Sequence, residues 1–261
     1  MKRRKRSDRR QLQRGIYVLP NLLTTANLFC GFYAIVAAIQ GYFLKGAIAI
    51  LAAAVFDALD GKIARVTRTV SKFGLQYDSL SDAISFGVAP GILVYLWALQ
   101  PFGKLGWLAA LIFVACGTLR LARFNVQAHV ISSKYFNGLP IPAAAFMIAA
   151  TVLLHHRLGG TGTTKHVMIL IMIYVLSCLM VSTMKYYSFK DAGLFKKMGF
   201  NMLVVVVMLL ILIVAEPAIA CFVIMLSYVS SGPFTTLWLR KKRQSEAAAS
   251  ETLNTPYEKP V

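Results

Sequence analysis

Carboxylates are what this sequence lacks. Its 261 residues include 28 Lys and Arg but only ten Asp and Glu, for a formal net charge of +18. It also lacks CxxC pairs and metal-ligand spacings, because Cys30, Cys116, Cys178 and Cys221 each stand alone in an apolar segment. They read as small buried residues rather than as disulfides or a zinc site. No stretch alternates apolar and polar residues as a barrel strand does. There is no internal repeat. Apolar residues make up 57% of the chain and come in long runs. This excludes a disordered chain and argues against a soluble globular domain. The basic excess does not point to a nucleic-acid partner either. A basic soluble domain gathers Lys and Arg on one polar face, whereas these lie between apolar runs.

A helix needs about 20 mostly apolar residues to cross a bilayer. Eight segments fit: roughly Asn21–Gln40, Leu44–Ile63, Asp78–Leu99, Leu105–Phe124, Leu139–His155, His166–Lys185, Gly199–Ala215 and Pro217–Leu239. Gly41, Gly103 and Gly159–Gly160 punctuate the turns. Only Glu216–Pro217 separates the last two segments, so one long kinked segment is the alternative there. Lipid-exposed backbone must satisfy its own hydrogen bonds, so an all-α, polytopic membrane bundle is expected. The organisation is then a basic segment over 1–16, a transmembrane domain over 17–239 and a tail over 240–261. The tail is rich in Ala, Ser, Glu and Thr and is expected to be disordered.

The basic residues orient this bundle. With the N-terminus in the cytoplasm, only Lys45, Lys104, Arg157 and Lys165 fall in exterior loops, and the other 24 of 28 lie inside. That is the bias of the positive-inside rule, and it predicts a plasma-membrane protein with both basic tails in the cytoplasm. The first 14 residues hold eight bases, but the apolar run after them is long and has no small-residue cleavage site, so they are not read as a signal peptide. They hold topology and are also suited to anionic headgroups. His155, His156 and His166 read as interfacial residues. His129 lies in a cytoplasmic loop near the candidate site.

Four of the ten acids fall within 26 residues, in FDALDGKIARVTRTVSKFGLQYDSLSD, Phe56 to Asp82. Asp57 and Asp60 are three apart, and Asp78 and Asp82 are four apart. On a helix each spacing puts both side chains on one face. Two neighbouring helices thus present four carboxylates to one pocket at the membrane surface. Four such charges cannot all stay ionised without a counter-charge. Hard oxygen ligands suit Mg²⁺, Mn²⁺ or Ca²⁺, and two such metals would stabilise a phosphoryl displacement. The alternative is a structural network with Arg65, Arg68 and Lys72, although intramembrane acids are costly and usually functional. Gly61 and Gly74 allow a ligand close to the backbone, or close helix packing. Arg65 lies one turn beyond Gly61 and can hold a diphosphate. Thr67 and Ser71 are polar partners in the loop.

The spacing Asp57-x2-Asp60-Gly61-x2-Ala64-Arg65-x8-Gly74-x3-Asp78-x3-Asp82 resembles the full signature of the CDP-alcohol phosphatidyltransferase family, with no departure. The resemblance implies transfer of a phosphatidyl group from a CDP-linked lipid to an alcohol, with CMP leaving. It implies that Asp57, Asp60, Asp78 and Asp82 hold the metals, that Asp82 is also the catalytic base, and that Gly61, Arg65, Ser71 and Gly74 meet the CDP moiety. Asn21 and Thr24, in the segment Pro20–Thr24, fall where the family often contacts the nucleotide. Alternatively, Pro20 and Asn21 simply start a helix.

The segments LPNLLTTANLFCGF, SLSDAISFGVAPG, RLARFNV and FNGLPIPAAA, with YYSFK at Tyr186–Lys190, resemble the branch of the family that uses L-serine. That likeness implies CDP-diacylglycerol as donor and Arg120, Arg123 and Asn125 as acceptor contacts. Arg120 and Arg123 could instead snorkel to the headgroups. Lys185, Tyr186 and Lys190 are weaker candidates, and Lys196 and Lys197 read as topology charges. Membrane lipids are the expected surroundings, and polar groups between helices are compatible with a homodimer. Two rival readings remain. One keeps the chemistry but takes glycerol-3-phosphate or an inositol phosphate as acceptor. The other is a cation transporter, whose acids should lie near mid-membrane.

Overall fold

The computed structural model describes residues 2–67, 71–127, 135–187, 204 and 214–253. The described chain is helical except for one short antiparallel strand pair. Its seven helices are α1 (Lys2–Ile39), α2 (Phe43–Val66), α3 (Lys72–Phe102), α4 (Lys104–Gln127), α5 (Ile141–Arg157), α6 (Val167–Val181) and α7 (Pro217–Leu253). The strands are β1 (Tyr135–Asn137) and β2 (Lys185–Tyr187), with Phe136 opposite Tyr186.

Helix α1 runs unbroken through Pro20, so Pro20 and Asn21 do not start it. A proline removes one helical hydrogen bond, and here the helix continues on both sides of it. The chain reverses at Gly41, whose φ of +79° is open to glycine at no steric cost. α2 then returns along α1. Ala34, Ala37 and Ala38 on one helix, and Gly46, Ala47 and Ala53 on the other, are all buried. Such small residues let two membrane helices approach closely.

α3 is the centre of the bundle: 61% of its most apolar stretch is buried within the protein, against 33% for α1 and 22% for α4 and α7. Ser71 caps it, accepting the backbone N–H of Gly74 at 2.9 Å. The helix is α-helical to Asp82, widens to π-helical turns over Ala83–Val88, tightens over Ala89–Val94, and widens again over Tyr95–Leu99. Pro90 has no N–H for the carbonyl four residues back, and the first wide stretch lies just before it. That stretch begins directly after Asp82.

Among the described residues, four helices are long and apolar enough to span a membrane: Leu19–Ile39, Lys72–Phe102, Lys104–Val126 and Pro217–Thr236. The expected count of eight is not reached among the described residues. α2 is long enough, but Asp57 and Asp60 share its apolar stretch with Lys45 or Lys62. α5 has the expected 17 residues, shifted two along the chain, and α6 is shorter than expected, ending at Val181; both are apolar but short for a span. The segment Gly199–Ala215 lies outside the described residues apart from 204, 214 and 215. Helical backbone continues to Leu253, past residue 240 where a tail was expected; Ala and Glu in that stretch are strong helix formers. Arg157 clamps the end of α5 to the start of α7, donating from Nε to Glu216 at 2.9 Å and from Nη2 at 2.6 Å.

The four cysteines form no disulfide. Gly41, Gly103 and Gly159 occupy the expected turns, each with positive φ.

Candidate active site

The site forms where the C-terminal part of α2 meets the start of α3, with α1 packed across both. Asp57 and Asp60 lie one turn apart on α2, and Asp78 projects from α3. One carboxylate oxygen from each lies within 4.8 Å of the other two. Asp60 is almost fully buried, at 4% exposure. Asp82, expected as a fourth ligand, falls outside this group. It lies close enough to Asp57, Asp78 and Asp60 to feel their charge, and its Oδ1 accepts a hydrogen bond from Nδ2 of Asn27 at 3.1 Å.

α1 supplies a polar stripe that sequence reading did not single out beyond Asn21 and Thr24. Thr24 sits 2.8 Å from Oδ2 of Asp60. The carbonyl of Thr24 accepts from Ser81 at 3.1 Å, and that of Asn27 accepts from Ser85 at 3.0 Å. Thr25 and Tyr77 share a hydrogen bond of 3.0 Å. Asn27, Ser81 and Ser85 are buried. A Cβ on Gly31 would strike the backbone and hydroxyl of Ser85, so glycine there sets the close approach of α1 to α3. Thr24, Asn27 and Gly31 recur at the spacing of one helical face, and Ser81 and Ser85 are four apart. That double pattern is the signal that points to them.

The three-acid cluster fits a divalent cation. Its donors are hard carboxylate oxygens. Asp78 Oδ1 is buried with no hydrogen-bond partner, and such an atom is costly unless something is there to meet it. The alternative of a structural ion-pair network fails for two of its three cations: no ion pair joins the acids to Arg65 or Lys72 among the described residues. Arg68 lies outside those residues.

The remaining candidates separate by position. Arg65 is exposed and bends back so that its Nε donates to the carbonyl of Gly61 at 2.8 Å, on the face expected. Ser71, expected at the CDP moiety, has its hydroxyl engaged as the cap of α3. Gly74 stands between the Ser71 hydroxyl and Asn21: a Cβ on it would lie 3.1 Å from Ser71 Oγ and 3.3 Å from Asn21 Oδ1. Asn21, Gly74 and Ser71 therefore share one place beside the acids. Thr67 donates to its own helix at Ile63.

On α4, Asn125 donates to Ser79 at 2.9 Å, one residue from Asp78. Arg123 is half-buried on the same helix. Arg120 lies further from the helix end, its Nε buried without a hydrogen-bond partner and its guanidinium 5.7 Å from the Phe124 ring centre. Tyr186 is fully buried, and its hydroxyl donates to the carbonyl of Val229 at 3.1 Å, so it ties β2 to α7. Lys185 is in β2. His129, Lys190, Lys196 and Lys197 lie outside the described residues.

The sequence model of the CDP-alcohol phosphatidyltransferase family matches residues 17–183. A Helicobacter pylori protein named CDP-diacylglycerol–serine O-phosphatidyltransferase is 35% identical over 227 residues, covering 87% of this chain and 94% of that one. A Mycobacterium leprae protein of the same name is 30% identical, covering 84% of this chain and 75% of its own. An archaetidylserine synthase of Methanothermobacter thermautotrophicus is 40% identical over 64% of this chain and 69% of its own.

Proposed function

Because the chain belongs to the CDP-alcohol phosphatidyltransferase family, we propose that it transfers the phosphatidyl group of CDP-diacylglycerol to the hydroxyl of L-serine, giving phosphatidylserine and CMP. One observation carries the reading: three carboxylates converge at the family's signature positions in a chain that matches serine-using relatives along most of its length.

Asp57, Asp60 and Asp78 would hold divalent metal, two ions of Mg²⁺ or Mn²⁺ being the expected set and Ca²⁺ the alternative. When bound, such ions neutralise the charge of the diphosphate and lower the pKa of a coordinated hydroxyl. The chain's own residues do the rest. Thr24 orients the carboxylate of Asp60. Asn21, Gly61, Arg65, Ser71 and Gly74 line the approach for the CDP moiety, with Arg65 able to bind phosphate oxygens through paired N–H groups. Asp82, beside the three-acid cluster, takes the proton of the serine hydroxyl. Asn27 fixes the orientation of that carboxylate. Asn125 approaches α3 from α4 and, with Arg120 and Arg123, is an acceptor contact.

The acids sit toward one end of α2 and at the start of α3, so a soluble nucleotide and a lipid chain can meet there. A transporter would carry its acids near mid-membrane, and this placement speaks against it. The bias of basic residues supports a site on the cytoplasmic face of the plasma membrane. A homodimer belongs to the same proposal, and cross-linking in native membranes tests it.

Release of labelled CMP from CDP-diacylglycerol, measured in detergent over a panel of alcohols, tests the assignment. Release that rises with L-serine and not with glycerol-3-phosphate or an inositol phosphate supports it. Release that follows a phosphorylated acceptor instead moves the chain to another branch of the same chemistry.

A further inference from the structure

A cavity opens at the end of the bundle away from the carboxylates. Asp57 follows Lys45 by twelve residues on α2, which is about 18 Å along a helix axis. The cavity holds about 270 Å³ and is lined from four places: the α1–α2 turn with Tyr42, Phe43 and Lys45, α3 with Trp97, α5 with His155, and the loop Gly160–Gly162. Trp97 is its floor, 1% exposed, and His155 meets that ring edge-on at 5.3 Å. The loop can lie over His155 only because residue 160 is glycine; a Cβ there would enter the imidazole. Thr164 anchors the loop further along, its N–H bonded to the Trp97 carbonyl at 2.9 Å.

The charge of the lining has one sign. Lys45, His155 and His156 are its ionisable groups apart from Tyr42, and no acid lines it. Glu216, the acid at this end, is already held by Arg157 in a two-point ion pair. Lys45 stands at the rim with Nζ 4.5 Å from the Tyr42 ring centre. Beneath it the walls are aromatic and aliphatic. A ligand must therefore be anionic at the rim and apolar below. The volume is just under the roughly 300–1,000 Å³ of small-molecule pockets, enough for a headgroup but not for a whole lipid.

The geometry points to a site for the anionic phosphodiester headgroup of a membrane lipid, with Lys45 pairing the phosphate and Tyr42, Phe43 and Trp97 packing the glycerol region. It lies apart from the carboxylates and does not depend on which alcohol they use.

Native mass spectrometry of the purified full-length protein tests this, with dioctanoyl phosphatidylglycerol, dioctanoyl phosphatidylcholine and inorganic phosphate as separate probes. Phosphatidylglycerol should bind the wild type and Lys45→Arg alike, and Lys45→Gln about ten-fold more weakly. A matching thermal melt of Lys45→Gln and wild type establishes that the variant is folded. Asp78→Asn should leave this binding unchanged, which separates it from the donor site. Equal binding by Lys45→Gln overturns the proposal. So does equal binding of phosphatidylcholine, or binding of inorganic phosphate as tight as that of the lipid.

Discussion

The hydroxyl of Thr24 lies 2.8 Å from Oδ2 of Asp60 and 3.1 Å from the carbonyl oxygen of Pro20, so its single proton faces two acceptors. An ionised Asp60 draws that proton to itself and is held in one orientation. Thr24→Val should then lower turnover and metal affinity by about 10–100-fold, the usual effect of losing a partner of a metal ligand. Thr24→Ser should retain most of both. Initial rates across a manganese titration measure this, and a Thr24→Val enzyme with wild-type metal dependence would remove Thr24 from the role.

Asp78 and Asp82 should behave differently. Asp82→Asn should keep donor affinity and metal half-saturation and lose about 10²–10⁴-fold in kcat, the range for general-base catalysis. Asp78→Asn should shift metal half-saturation itself. Binding of CDP-diacylglycerol and the metal titration are measured on each variant. Normal turnover in Asp82→Asn would exclude it as the base, and an equal shift in both metal titrations would make Asp82 a ligand.

The acid cluster was legible in the sequence because its spacing is specific and carboxylates are rare in apolar helices. The partners on α1 were not, because a lone Thr, Asn or Ser in an apolar helix bonds its own backbone as readily as it faces a site. Thr25 shows the ambiguity: its hydroxyl meets both Tyr77 and the carbonyl of Asn21. Ser71, expected as a loop contact for the nucleotide, is also the cap of α3, a role written in its spacing to Gly74. The helical class was legible from the apolar runs. The number of spans was not, since α2 carries its acids inside its apolar stretch and α5 and α6 are short. The strand pair joins Phe136 to Tyr186, two segments whose likeness to the serine-using branch gave no hint that they meet.

Gly31 sets the distance between α1 and α3. A Cβ there meets the main chain of Ser85, which cannot turn aside as a flexible side chain can. Gly31→Ala should destabilise the protein by about 1–3 kcal/mol, the cost of overpacking, and should lower turnover by shifting Asn27 relative to Asp82. Thermal melts in detergent read the first effect. An unchanged melting temperature would mean that the helices separate without cost.

Glu216 carries a pH signature. Arg157 lowers its pKa through hydrogen bonding, against a smaller opposing effect of burial. A depressed carboxyl pKa contributes stability above the unfolded value and loses it as pH falls through the folded value. The melting difference between wild type and Glu216→Gln should therefore be steady from about pH 7 down to the ordinary carboxylate range and then vanish below it. Both groups are solvent-facing, so the difference should be small and fall with added salt. A difference that grows on acidification would contradict the pairing.

Formation of labelled phosphatidylserine from CDP-diacylglycerol and L-serine by the purified protein tests the central claim most directly. The wild type with added Mg²⁺ or Mn²⁺ should form it, chelation should abolish it, and Asp78→Asn, in protein that melts normally, should form it only at raised metal concentration. No labelled lipid from folded wild-type protein with divalent cation present, or equal product after chelation, would contradict the account.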